Sequence, residues 1–285
     1  MPDRLTSLLQ RFELRARVIR GGTLCGVADF AEGDGVGHLH LVRRGPVGFT
    51  DRQGRRIVVA EPGAVFYPRP LDHRMDAEAL DGAEVVCAAI NFGVGDENPL
   101  LRGLPDLLMI PLTQAPGLDA TLGLLFAEAF GQRCGHAAVV DRLTEIAVVQ
   151  LLRFAIEQRI VDGGLLAGLA DSRLALALNT IHAQPARPWT LDALAKTAGM
   201  SRSRFAARFT GVVGLPAGEY LTLWRVNLAK PMLRRGRPVK QVALELGYAG
   251  AATFARAFLQ TVGVSPAVWS RQQREGSVHA GDRAR

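Results

Sequence analysis

The sequence predicts an α+β fold of two domains, an N-terminal β-barrel with trailing helices followed by an all-α domain. Three observations support this division. Residues 18–92 contain short runs of β-forming residues separated by glycine and proline turns. From about Leu118 onward, apolar residues recur at intervals of three and four, which is the helical period. The net charge of +7 is uneven: residues 171–285 carry 17 basic and 6 acidic residues (+11), and residues 1–170 carry 17 and 21 (−4).

The segments follow one another in a clear order along the chain. Short strands with near-regular turns indicate an antiparallel sandwich or barrel, which we assign to residues 1–117. The segment 118–160 is helical, and its second part is apolar over much of its circumference, so the β domain or a second subunit must cover it. A glycine-rich interruption predicts a linker at 161–170. The all-α domain then spans 171–272, and 273–285 is expected to be a disordered tail.

Composition excludes several classes of protein. A hydrophobic fraction of 48% and a charged fraction of 21% argue against a disordered chain. Three scattered cysteines, Cys25, Cys87 and Cys134, are too few for a disulfide framework or a structural zinc site. No apolar run approaches the ~20 residues of a membrane span, and the first residues lack the apolar core of a signal peptide. We therefore expect a cytoplasmic protein that is not embedded in a membrane, with reduced thiols.

An internal repeat lies within the basic region. When residues 191–220 are laid over 239–269, with one extra residue between Gly247 and Phe254, six features recur in the same order. Each copy has an alanine four residues before a glycine, then two phenylalanines four apart, a second glycine, and a final aromatic residue. The matching residues are Ala195, Gly199, Phe205, Phe209, Gly214 and Tyr220 in the first copy, and Ala243, Gly247, Phe254, Phe258, Gly263 and Trp269 in the second. This pattern predicts two helix–turn–helix units.

A helix–turn–helix unit places the early residues of its second helix against base edges in the major groove. The expected DNA-facing residues are Arg202, Ser203, Arg204, Ala206 and Ala207 in the first copy, and Gly250, Ala251, Ala252, Ala255 and Arg256 in the second. Arg256 is the strongest candidate for a guanine contact, because arginine offers a bidentate fork. For Arg202 and Arg204, a phosphate contact is an equally good interpretation. The joining helix, from about Ala217 to Arg235, would hold the two units on adjacent groove segments; Pro231 should kink it.

Residues 171–272 resemble the DNA-binding domain of the AraC/XylS family of bacterial transcription regulators. The motifs that carry the resemblance are Leu194-Ala195, Gly199-Met200-Ser201-Arg202-Ser203, Phe209, Gly214, Arg225, Ala229, Val242-Ala243, Gly247-Tyr248, Phe254, Arg256-Ala257-Phe258 and Gly263-Val264-Ser265-Pro266. The resemblance implies a seven-helix double motif that binds double-stranded DNA, and RNA polymerase is a further candidate partner. Two departures are Ala207, where the family commonly has arginine, and Trp269-Ser270 in place of tyrosine–arginine.

The N-terminal part resembles the cupin-like sensor barrel of one AraC subgroup, which includes regulators that respond to reactive chlorine. The resemblance lies in residues 20–26, 38–42, 61–63, 67–74 and 86–87. It implies a homodimer controlled by a signal in the barrel, either an oxidant sensed through Cys25 and Cys87 or a small organic effector. For both cysteines, plain core packing is the alternative. No catalytic residue and no cofactor are expected.

Three histidines raise the question of a metal. His38 and His40 lie two apart on a strand and so share a face, and His73 is a third candidate. Metal-binding cupins add a glutamate shortly after the paired histidines, but here Arg43 and Arg44 follow. The sequence therefore favours a metal-free barrel. A cupin-type metal-dependent enzyme with an accessory DNA-binding domain is the alternative function.

Overall fold

A computed structural model describes residues 5–9, 14–77, 82–93, 98, 100–101, 103–131, 133–161 and 163–273. These residues divide into two compact units. The β unit comprises 14–170, and the helical unit comprises 171–273 together with 5–9, which form the short helix α1 (Thr6–Leu9). Apart from Gln273, the predicted tail at 273–285 lies outside the described residues.

The β unit is built from two antiparallel sheets. Its strands are β1 (Arg15–Leu24), β2 (Gly26–Phe30), β3 (Gly37–Arg44), β4 (Val47–Asp51), β5 (Arg56–Val59), β6 (Gly63–Tyr67), β7 (His73–Ala77), β8 (Ala83–Asn91) and β9 (Leu108–Pro111). One sheet has the order β1-β8-β3-β6-β9 and the other β2-β7-β4-β5. The predicted antiparallel β architecture is confirmed, as two sheets rather than one closed barrel.

The core of the β unit lies between these sheets. Val42, Val65 and Cys87 of the first sheet are buried in one cluster with Phe49 and Met75 of the second. β3 and β6 are buried along nearly their whole length, although only β6 is a continuous apolar run; β3 buries His38 and His40 among its leucines. Truncating a buried aromatic such as Phe49 to alanine would cost about 3–5 kcal/mol.

Two long helices follow the sheets, α2 (Pro116–Gly131) and α3 (His136–Glu157). Carboxylates of α3 cover the free edge of β1: Asp141 accepts a hydrogen bond from the Val18 amide at 2.8 Å, and Glu145 accepts one from the Ala16 amide at 3.4 Å. These contacts satisfy amides that an edge strand would leave open. The β unit therefore covers part of the predicted helical segment 118–160.

Much of the predicted linker, residues 161–170, is helical. It contains helix α4 (Gly164–Ala170), in which Leu165, Leu166 and Leu169 are buried. The residue before α4 lies against Gly103, since a Cβ on Gly103 would lie 1.8 Å from the carbonyl oxygen of Gly163. The absence of a side chain at Gly103 thus permits this close backbone approach.

The helical unit contains six further helices and an additional helical segment at 266–273. The helices are α5 (Leu174–Ala183), α6 (Leu191–Thr197), α7 (Arg202–Val213), α8 (Ala217–Arg234), α9 (Val239–Glu245) and α10 (Ala251–Val262). α1 packs against α5, and its Leu8 is fully buried. Within the described residues, no helix combines the length and apolar character needed to cross a bilayer.

Candidate nucleic-acid interface

Helices α6 and α7 form the first helix–turn–helix unit, and α9 and α10 form the second. The turn glycines Gly199 and Gly247 have φ of +61° and +78°, the left-handed region expected after the first helix of each unit. All four repeated phenylalanines are fully buried, and the side chains of the paired alanines Ala195 and Ala243 are at most 2% exposed. The duplicated motif predicted from the repeat is confirmed.

Local sequence explains where these helices begin. Thr190 is the N-cap of α6, and its side chain accepts a hydrogen bond from the Ala193 amide at 3.2 Å. Pro238 immediately precedes α9, where a proline is tolerated because the first helical amides have no intrahelical acceptor. α6 and α9 therefore begin directly after these two residues.

The first recognition helix, α7, exposes Arg202, Ser203, Arg204 and Ala207, whereas Ala206 is half-buried. Arg202 lies 3.3 Å from the carboxylate of Asp192, a solvent-exposed pair that DNA can readily displace. The sequence reasoning overlooked Arg208, which is also exposed and lies one turn after Arg204.

The second recognition helix, α10, exposes Ala252, Thr253 and Arg256; Gly250, Ala251 and Ala255 are half-buried. No described residue forms an ion pair with Arg256, so its guanidinium is available to a ligand. Thr253 was not predicted, although its position three residues before Arg256 places the two on one face. In the repeat alignment, Arg256 corresponds to Ala207.

The joining helix α8 is continuous across Pro231, which lies in its last turn. Arg225 of α8 contacts residues beside both helix–turn–helix units. Its Nε donates to the carbonyl of Pro185 at 2.7 Å, its Nη2 donates to the carbonyl of Arg187 at 3.0 Å, and its guanidinium lies 5.3 Å from the ring centre of Tyr248. Arg225 therefore connects the chain before α6 to the turn between α9 and α10.

In the β unit, Cys25 is exposed and Cys87 is buried. Burial raises the pKa of the Cys87 thiol to about 12, and its Sγ lies 3.9 Å from the sulfur of Met75. Such a thiol stays protonated and is a poor nucleophile. Leu24, the residue before Cys25, pairs with Ala83 of β8, whereas Cys87 pairs with Arg20 of β1. The two pairs are four residues apart along the strands, which corresponds to roughly 13 Å. A disulfide needs Cα atoms within about 7 Å, so these two cysteines are too far apart to pair in this fold.

The three histidines do come together in the core of the β unit. His38 and His40 are fully buried, and His73 is 4% exposed. The Nδ1 of His73 lies 2.8 Å from the carbonyl of Leu71 and must donate to it, so the Nε2 of neutral His73 accepts from the Nε2 of His40 at 2.8 Å. Burial, with a minor contribution from the other histidines, holds the pKa of His40 well below its usual range. Burial lowers the pKa of His73 to about 4.

Within the described residues, no group of three or more histidine, cysteine, aspartate or glutamate side chains is arranged to hold a metal ion. The imidazoles instead pack with aromatic rings. His73 lies between Phe30 and Tyr67, at ring-centre distances of 5.0 and 3.9 Å. The cluster is therefore a neutral, hydrogen-bonded and stacked part of the core.

A cavity of about 550 Å³ lies beside this core. Its apolar walls are formed by Phe49, Ile57, Tyr67, Leu71 and Leu107, all of which belong to the core cluster or pack against it. Its volume lies within the range of small-molecule sites.

Comparison with known proteins agrees with this architecture. A cupin family model matches residues 3–157, and a helix-turn-helix domain model matches residues 194–272. A putative AraC-like transcription regulator of Streptomyces lividans is 34% identical over 242 residues, covering 84% of this chain and 78% of the relative. The RCS-specific HTH-type transcriptional activator RclR of Escherichia coli is 24% identical, covering 85% of this chain and 88% of the relative.

Among solved structures, ToxT from Vibrio cholerae aligns with 91% of this chain and 99% of its own, with a TM-score of 0.41 and 12% identity. The curated relatives are named as transcription regulators, which supports a regulator over the cupin-type enzyme considered as the alternative. The chain belongs to the AraC family of DNA-binding transcription regulators, and its helix-turn-helix domain is preceded by a cupin domain.

Proposed function

We propose that the protein reads two adjacent major-groove segments of double-stranded DNA with α7 and α10, under the control of a signal in the β unit. The observation that carries this proposal is the pair of helix–turn–helix units, whose recognition helices present exposed arginines. The DNA-facing residues we propose are Arg202, Ser203, Arg204, Ala206, Ala207, Gly250, Ala251, Ala252, Thr253, Ala255 and Arg256.

The two recognition helices differ in what they can read. Arg256 can donate two hydrogen bonds to one guanine, whereas Ala207 at the corresponding position can offer only a methyl group. Arg202 and Arg204 lie earlier in α7, where phosphate contacts would orient the helix without reading sequence. We therefore expect the half-site under α10 to be the more strictly specified one.

Selection of bound duplexes from a random pool, followed by footprinting, tests this proposal. Arg256→Ala should weaken specific binding by about 1–3 kcal/mol and relax the preference at one base pair. Arg153→Ala, which removes the same charge from an exposed site on α3, is the matched control and should leave the sequence preference unchanged. Full retention of specific affinity by Arg256→Ala would contradict the assignment.

For the signal, the cavity favours a small organic effector, because it is preformed and mainly apolar. The second candidate is an oxidant, suggested by the relative named as RCS-specific; the exposed thiol of Cys25 is then the proposed sensor, and the buried Cys87 contributes less. Serine replacements of Cys25 and Cys87 separate the two candidates. An oxidant response that persists on promoter DNA in both variants would exclude the thiol mechanism.

We further propose that the protein is a homodimer. Leu124 and Phe130 of α2, and Val139 and Ile146 of α3, are apolar side chains that remain at least 37% exposed in the single chain. Sedimentation of the wild type and of Ile146→Glu tests this, with loss of the dimer expected in the variant. We also propose that the protein acts in the cytoplasm, where DNA is accessible. RNA polymerase is a further proposed partner, and transcription from the selected site tests this contact.

A further inference from the structure

We infer that the cavity of the β unit binds an amphipathic cation, a ligand with an apolar body and an ammonium-type head group. This inference rests on the proposed function in one respect, since it names the chemical class of the signal. It is carried by the side chains that line the cavity and by the way their charges are paired.

The apolar part of the ligand would lie against the walls already described. Phe49 and Tyr67 supply two aromatic rings, and Ile57, Leu71 and Leu107 supply aliphatic surface. Tyr67 stacks on His73 at 3.9 Å and 12°, which fixes the orientation of the phenol ring. These walls suit the apolar body of the ligand, and its head group must find its partner among the polar residues of the lining.

The polar residues around the cavity carry excess negative charge. Four carboxylates line it, those of Glu32, Asp51, Asp72 and Asp106, against two guanidinium groups, those of Arg52 and Arg55. Two of the carboxylates are neutralised by partners of their own. Asp51 accepts from Arg55 at 2.6 Å, and Asp106 accepts from Arg69, outside the lining, at 2.5 Å.

The excess is therefore localised at Glu32 and Asp72. Both carboxylates share one guanidinium, that of Arg52, at 3.9 and 4.0 Å, and all three side chains are substantially exposed. The two carboxylates outnumber this guanidinium by one charge. An incoming cation can take up that charge without displacing an existing pair.

An anionic ligand finds no comparable partner among the residues that line the cavity. The Nε of Arg55 is already bound to Asp51, and Arg52 is flanked by two carboxylates. Burial, with a smaller contribution from Asp51, raises the pKa of Tyr67 to about 12, so the phenol beside the ligand is uncharged. His73, which stacks on Tyr67, is neutral near pH 7 because burial lowers its pKa to about 4, so it places no positive charge beside the ligand.

The test uses the full chain and three probes with the same alkyl chain: octyltrimethylammonium, octanoate and 1-octanol. Isothermal titration calorimetry should show one octyltrimethylammonium bound per chain, at least about 10-fold more tightly than either other probe. Equal binding of all three, preference for octanoate, or no binding of the ammonium probe would each overturn the inference.

Three variants locate the charge. Glu32→Gln combined with Asp72→Asn should weaken ammonium binding by roughly 5- to 20-fold, whereas Glu61→Gln, an exposed carboxylate outside the cavity lining, should leave it unchanged. Arg52→Ala removes the competing guanidinium and should tighten ammonium binding by roughly 3- to 5-fold. A gain of affinity cannot come from misfolding, and a loss of affinity in Arg52→Ala would contradict the inference.

DNA binding is measured separately with the selected duplex, so that the two proposals can fail independently. A change in DNA affinity on adding the ammonium probe supports the signalling role. Ammonium selectivity with unchanged DNA affinity upholds the ligand class and contradicts the signalling role. Specific DNA binding by a protein with no ammonium selectivity upholds the DNA-binding proposal and overturns the ligand class.

Discussion

The carboxylate of Asp171 holds the guanidinium of Arg208, a residue of the first recognition helix 37 positions later in the chain. Arg208 Nε donates to Asp171 Oδ2 at 2.6 Å, and Arg208 Nη2 contacts the same oxygen. The other oxygen, Oδ1, accepts from the amides of Arg173 and Leu174 at 2.9 and 3.0 Å, at the start of α5. One side chain thus begins a helix and positions α7. In the sequence, Asp171 directly follows Ala170, the last residue of α4.

We predict that Asp171→Ala lowers the free energy of unfolding of the helical unit by about 2 kcal/mol, since it removes two hydrogen bonds to the amides at the start of α5 and an ion pair whose carboxylate is buried. All three tryptophans, Trp189, Trp224 and Trp269, lie in this unit, so urea unfolding followed by tryptophan fluorescence reports on it directly. Asp192→Ala breaks the exposed pair with Arg202 and should cost less than about 0.5 kcal/mol. Equal costs for the two variants would contradict the prediction.

The stability of the helical unit should also fall in acid. Burial opposes ionisation of Asp171, but hydrogen bonds from the Leu174 amide and from Arg208 outweigh it and lower the pKa of the carboxyl. Its stabilising contribution is therefore present above the unfolded-state pKa of about 3.8 and is lost as pH falls through the lower folded value. Asp171→Asn should flatten this part of the pH profile.

The histidine cluster predicts a second pH dependence, located in the β unit. Because the pKa of His73 is about 4 in the folded state and about 6.5 when unfolded, the unfolded chain binds more protons between these values. Stability of the β unit should thus decrease from pH 6.5 to 4, by up to about 3 kcal/mol for this group. Hydrogen exchange of amides in β3 and β7 measures it. His136→Gln, at the start of α3, should leave the slope unchanged; the same slope in His73→Gln would contradict the assignment.

We predict that thiol reactivity separates the cysteines. Iodoacetamide should modify the exposed Cys25 and Cys134 under native conditions, and Cys87 only after unfolding, because burial raises its thiol pKa to about 12. Peptide mapping by mass spectrometry gives the modified positions. A Cys25–Cys87 disulfide formed by oxidant in the native protein would show that the strands β1 and β8 rearrange.

The two turn glycines should differ in their tolerance of a side chain. A Cβ on Gly247 would lie 2.0 Å from the carbonyl oxygen of Ala186. A Cβ on Gly199 would have no atom of the surrounding described residues within 4 Å. Both have positive φ, so Gly199→Ala should cost about 1 kcal/mol from backbone strain alone. Gly247→Ala should cost substantially more, or prevent folding of the helical unit. Equal costs in urea unfolding would contradict the close approach.

Features that depend on local spacing could be predicted from the sequence. The repeated Phe205/Phe209 and Phe254/Phe258 pairs place apolar side chains four residues apart on one helix face, and the glycines after α6 and α9 end those helices wherever the rest of the chain lies. The same spacing predicts Arg256 on the exposed face of α10. Alternation and turn residues likewise predict an antiparallel β domain.

Contacts between distant segments were decided only by the tertiary structure. The glycines at 163–164 predicted a linker, but Gly163 packs against Gly103, and the leucines of α4 are buried. The sequence does not determine whether Cys25 and Cys87 could pair; the register of β1 against β8 separates them by roughly 13 Å. The cavity gathers side chains from β4, β5, β6 and the four connections β2–β3, β4–β5, β6–β7 and β8–β9. Sequence periodicity specifies which face of an element is apolar, but which elements meet, and at what register, depends on long-range packing.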